Sequence, residues 1–180
     1  MFWTMRSPRK VIALLTITAA LLAATTQAVF AARPRAVGAP TLRHSLDLWA
    51  TIDVCNPPDQ PNMVGVRGSM PGDGVAGDAI YMRFRVQYEA ASGSWVDFAR
   101  GSNSGFVKVA SARKAHQDGW SFQVKSPPGK RTTTLRGVVT FEWRRGARVI
   151  ASISRPTTAG HESLRGADPP NFSAATCTIA

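Results

Sequence analysis

Without its first 32 residues, this chain of 180 keeps the length of one domain, enough for a hydrophobic core that needs no dense disulfide scaffold. Lys and Arg number 22 against 11 Asp and Glu, a formal net charge of +11, so a partner recognised by charge is an anion. Arginine supplies 17 of those cations and lysine 5. Arginine is the better planar donor for carboxylate and phosphate, but a GC-rich genome encodes the same ratio, so the ratio alone assigns no ligand.

The chain opens with "MFWTMRSPRK VIALLTITAA LLAATTQAVF AAR". Arg6, Arg9 and Lys10 precede an uncharged apolar run from Val11 to Ala24, and Val29-Phe30-Ala31 places small residues where a signal peptidase wants them. Residues 1–32 are therefore expected to be a secretory signal peptide, with the mature chain starting between Val29 and Arg33. The alternative is an uncleaved anchor, because Val11 to Ala32 is just long enough to span a bilayer; the polar Thr25-Thr26-Gln27 break suits a cleavage region better. Membrane contact is expected only in the anchored case. An exported chain meets an oxidising environment, where two lone cysteines form one disulfide. Cys55 and Cys177 are expected to be that pair, since neither a nearby His nor a C-x-x-C spacing marks a metal ligand or a reactive thiol.

A Pro/Gly linker over 33–41 leads into alternation with period two. In "SLDLWATIDVC", Leu46, Leu48, Ala50, Ile52 and Val54 share one face, and Asp47, Thr51 and Asp53 the other. "MVGVRGSM" is a short second strand and "PGDGVAGD" a loop. In "AIYMRFRVQYEA", Ile80, Met82, Phe84, Val86 and Tyr88 point one way, while Arg83, Arg85, Gln87 and Glu89 point the other. After the "ASGS" turn come "WVDFA" and "GFVKVA". "SARKAHQDG" has Ser111 as an N-cap and Gly119 as a stop, which predicts a short helix near 111–118. "WSFQVK" resumes the strand pattern. "TLRGVVTFEWRRG" puts Leu135, Gly137, Val139, Phe141 and Trp143 on one face, and "RVIASISR" pairs back across Arg145-Gly146. A long loop leads to "AATCTI".

Seven to nine short strands, each apolar on one face, predict an all-β antiparallel two-sheet sandwich over 42–180. Cys55 closes the first strand and Cys177 sits in the last, so their bond would tie the chain ends together. The strand pattern resembles immunoglobulin-like and fibronectin type III-like sandwiches. "VGVRGSMPGDG", "YMRFRVQY", "LRGVVTFEWRRG" and "FSAATCTI" resemble a group of secreted, functionally uncharacterised actinobacterial proteins, a resemblance that brings no catalytic residue with it. The chain departs from antibody domains in lacking a Cys–Trp–Cys core.

Catalytic motifs are not legible. His44, His116 and His161 lie in separate segments with no partner at metal or triad spacing. "SARK" lacks the K-T-G and S-D-N companions of an S-x-x-K site. "PGK" lacks the flanks of a phosphate loop, and "GSNSG" has Asn at the nucleophile position of G-x-S-x-G. Asp73 and Asp78 offer a calcium ion too few oxygens, and turn chemistry accounts for the glycines around them. No catalytic residue, metal or cofactor is expected.

What remains is arginine on outward faces. Arg83 and Arg85 lie on one strand and Arg136 and Arg144 on another, and they form one basic face if the strands are neighbours. Glu89 and Glu142 share those faces and could pair with the arginines instead. Nucleic acid is disfavoured, because Tyr81 is the only aromatic the sequence places among them and because the chain carries an export signal. The expected function is a secreted, non-catalytic module acting at the cell envelope, with an anionic envelope polymer or another extracellular protein as partner. The alternative is a small secreted enzyme using the 157–172 loop, for example His161 with Asp168.

Overall fold

The computed structural model describes residues 36–98, 100–129, 131–161 and 164–180; the predicted signal or anchor segment, 1–32, lies outside them. In chain order the elements are α1 (Ala39–Arg43), β1 (Trp49–Cys55), β2 (Met63–Met70), β3 (Ala79–Glu89), β4 (Trp95–Asp97), β5 (Asn103–Ser111), β6 (His116–Gln123), β7 (Thr133–Arg145), β8 (Arg148–Pro156) and β9 (Thr176–Ile179). β1, β2 and β6 form a three-stranded sheet in the order β1-β2-β6. The second sheet has six strands and is built on the β3–β7 pair: β4 and β5 share the outer edge of β3, and β8 and β9 share that of β7. Every pairing between these strands is antiparallel. The fold is the expected all-β sandwich.

The two-residue periodicity of β3 and β7 builds the core. Ile80, Met82, Phe84 and Val86 from β3 meet Leu135, Val139, Phe141 and Trp143 from β7 on the inner face, and all eight are buried. Val64, Val66 and Met70 of β2 and Ala50 and Ile52 of β1 close over them. At Gly137 the two sheets approach closely. A Cβ there would lie 2.7 Å from Val66 Cγ1 and from Thr157 Cγ2, so the strand needs a residue without one. Cys55 and Cys177 are bonded, 122 residues apart in sequence, which joins the end of β1 in the small sheet to β9 in the large one.

Three expectations need correction. The helix predicted near 111–118 is a hairpin: β5 runs through Ser111, a turn follows, and β6 begins at His116. The Ser111 hydroxyl accepts from the Arg113 N–H at 3.4 Å, so the capping chemistry is present but closes a turn. The described helix lies instead at Ala39–Arg43, in and just beyond the predicted linker; it buries Leu42 and packs on β8. Finally, β1 starts at Trp49 and not at Leu46, which is 96% exposed, because a turn from Ser45 to Leu48 turns the chain first.

Thr51 and Asp53, expected on an outward face, are also buried. The long segment after β8 accounts for this. It runs along the free edge of β1, where Ile52 and Ala174 exchange backbone hydrogen bonds of 2.9 and 3.0 Å, Thr158 N donates to Ala50 O at 2.8 Å and Asp168 N to Asp53 O at 2.8 Å. Thr51 Oγ1 meets Ser173 Oγ at 2.8 Å. An open strand edge invites pairing with another chain, and this segment covers it.

Candidate functional site

The β3–β7 register decides whether the arginines form one surface, and it brings them together. Arg83 lies opposite Thr140, Arg85 opposite Val138 and Gln87 opposite Arg136, with Arg144 opposite Ala79 at the far end. All four arginines face outward from two adjacent strands and are partly exposed. Arg144 lies eight positions beyond Arg136 along β7, about 27 Å at the rise of an antiparallel strand.

Flanking strands add aromatic rings. The Arg83 guanidinium sits 4.9 Å from the Phe106 ring centroid, and Arg144 lies 4.2 Å from that of Tyr81 and 4.8 Å from that of Phe106. Arg136 sits 4.5 Å from that of Trp95. The expectation that Tyr81 stands alone is thus overturned. Trp95 was legible, since the Ala90–Ser94 turn sets it opposite Glu89 on the same face. Phe106 was not. Its strand slips register twice against β3, at Ile80/Tyr81 and at Arg83/Arg85, and a bulge breaks the parity that assigns a side chain to a face.

Charge on this face is partly compensated. Arg85 donates to Asp97 at 2.8 Å, and Gln87 Nε2 donates to the other oxygen of the same carboxylate at 2.9 Å. Arg144 Nε donates to Glu142 at 2.7 Å. Arg136 Nε donates to the neutral Gln87 Oε1 at 2.8 Å, and burial lowers its pKa from the ordinary arginine value against the pull of Asp97. Among the described residues, no carboxylate forms an ion pair with Arg83 or Arg136. A guanidinium laid over a ring keeps its in-plane donors for an oxyanion, so the face can receive carboxylate, sulfate or phosphate oxygens.

The other candidates have different roles. Asp73 and Asp78 are buried together at the loop before β3. Arg145 grips Asp78 with bonds of 2.8 and 2.6 Å, and Asp73 accepts from the Val75 N–H at 2.8 Å. The described residues contain no group of three or more His, Cys, Asp or Glu suited to a metal. Desolvation, with the neighbouring Asp78, raises the pKa of Asp73 above 3.8, whereas the Arg145 hydrogen bonds lower that of Asp78. Folding therefore favours protonated Asp73, and that contribution is complete below pH 3.8 and lost as pH rises through the raised value. Asp78 acts in the opposite sense: its ionised form stabilises the fold above pH 3.8, and the benefit is lost as pH falls through the lowered value. Asp73→Asn fixes the uncharged state. Melting temperatures measured at increasing pH above 3.8 should then vary less than in the parent, with the acid limb from Asp78 retained. An equally steep profile would show that Asp73 is not the group responsible.

His161 stacks on Trp49, with ring centroids 4.1 Å apart, and its Nε2 lies 3.3 Å from Thr158 Oγ1. Burial lowers its pKa, favouring the neutral ring. Asp168 contributes its backbone to the edge of β1. His161 and Asp168 thus both belong to the segment that covers that edge.

This arrangement defines a disulfide-tied β-sandwich with an arginine–aromatic sheet face. No family model matches the chain, and no curated protein matches it. Among solved structures it is similar to the sporulation control protein Spo0M of Bacillus subtilis, at 12% identity over 61% of this chain and 47% of that one, with a TM-score of 0.31. It is also similar to the β-glucuronidase of Bacteroides uniformis, at 10% identity over 65% of this chain and 14% of that one, with a TM-score of 0.34. The chain thus spans less than half the length of either. Likeness at this level carries no functional argument.

Proposed function

We propose that this protein is a secreted, non-catalytic module that binds an anionic polymer of the cell envelope through the outer face of β3 and β7. The observation that carries this reading is the placement of Arg83 and Arg136, each laid on an aromatic ring and neither in an ion pair with a described carboxylate, on one surface with Arg85 and Arg144. A row of cations extending about 27 Å along a strand suits a repeating polyanion better than a single small anion. Each contact of this kind is screened over about 8 Å at physiological ionic strength, so binding weakens with salt.

Retention on immobilised dextran sulfate tests the reading. Arg83→Glu with Arg136→Glu should abolish retention at physiological salt, while each protein's thermal transition reports an intact fold. The control reverses Arg113 and Lys114, both exposed in the β5–β6 turn, for the same change in net charge. Equal loss in both double variants, or no retention of the parent, would sink the proposal.

A further inference from the structure

The sandwich is open at one end. Where β3 and β4 of the large sheet pass the end of β6, a cavity of about 560 Å³ lies between them, within the range of small-molecule sites. Its apolar wall is formed by Tyr88, Phe98, Val124 and Pro127. Tyr88 and Phe98 meet edge to face, with centroids 5.1 Å apart, and both pack on the core, which makes this wall a continuation of the protein interior. Arg100 and Lys125 stand at the lining, both exposed. Neither is in an ion pair among the described residues. The carboxylate that also lines the cavity, Asp97, is already bound by Arg85 and Gln87. Ser126, again in the lining, has a buried hydroxyl with no hydrogen-bond partner among the described residues, and a buried hydroxyl left that way costs stability until something pairs with it.

We infer that this cavity is a second ligand site, which takes a small amphipathic anion: an aryl or alkyl body against Tyr88 and Phe98, with a carboxylate or sulfonate held by Arg100, Lys125 and the Ser126 hydroxyl. Apolar walls alone would accept any oily molecule. The two uncompensated cations and the unpaired hydroxyl select one with a negative end. The cavity adjoins the outward face at Asp97, but its apolar wall is turned the other way, since Tyr88 points inward from the same strand that points Arg85 and Gln87 outward.

Fluorescence titration with anilinonaphthalene sulfonate, an aryl sulfonate, tests this, with decanoate as competitor and uncharged phenylnaphthylamine as the neutral probe. The folded parent should bind the sulfonate saturably at one site and release it to decanoate. Arg100→Glu with Lys125→Glu should weaken the sulfonate about tenfold or more, from two reversed charge contacts, and leave the neutral probe unchanged. Ser126→Trp should block both probes by filling the cavity. Arg113→Glu with Lys114→Glu, at the opposite end of the sandwich, should change neither. The inference is overturned if the folded parent binds no sulfonate, if Ser126→Trp binds as the parent does, or if charge reversal at 113 and 114 weakens binding as much as reversal at 100 and 125.

Discussion

Replacing Cys55 and Cys177 together by alanine should cost the fold on the order of 4–5 kcal/mol, the loop-entropy value for a crosslink spanning so long a stretch. The bond closes 122 residues and ties β9 to β1. β9 has four residues and lies beside only the start of β7, where Cys177 pairs with Leu135. Without the bond, this short strand and the segment before it are held by a few backbone hydrogen bonds along the β7 and β1 edges. Elements held so lightly open first. Urea unfolding of the double variant, beside the parent with and without reductant, measures the effect. The reduced parent should match the double variant. A loss well under 2 kcal/mol would show that the unfolded chain is already compact around this pair, since crosslinks act largely by restricting it.

Strands whose alternation is clean were legible to within a residue or two. The segment 79–89 buries every second residue from Ile80 to Val86, as its pattern requires. The neighbour relation of β3 and β7, on which the basic face depends, was not legible, because period-two alternation gives the face of a side chain but not the partner of a strand. Residues buried on both sides were missed for a related reason. Thr51 and Asp53 read as solvent-facing, yet Ser173 and Ala174 cover Thr51, and Asp53 pairs with Arg67 at 2.6 Å while its carbonyl accepts from the Asp168 N–H. A polar residue on an outward parity is buried when a distant segment supplies its partner, and that distance is invisible locally. The hairpin at Ser111 was misread because a serine that caps a helix and one that closes a turn make the same local hydrogen bond. The disulfide was legible because only two cysteines exist to pair.

Trp143→Ala should destabilise the protein by about 3–5 kcal/mol, the range for deleting a large buried aromatic. Trp143 is fully buried on the inner face of β7, between Ile80 of β3 and Ala151 of β8. Its indole N–H donates to the buried Pro71 carbonyl at 2.8 Å. That bond anchors the loop carrying Asp73 and Asp78, so the residue serves both the core and the carboxyl pair beside Arg145. Trp143→Phe separates the two contributions. It retains most of the apolar volume but leaves the Pro71 carbonyl without its donor, at an expected cost of about 1–3 kcal/mol. Chemical denaturation of both variants gives the comparison. If packing dominates, phenylalanine recovers most of the loss seen with alanine. If phenylalanine costs as much as alanine, the hydrogen bond to Pro71 is the larger share, and the pH profile set by Asp73 should shift in the same variant because the loop that buries it has loosened.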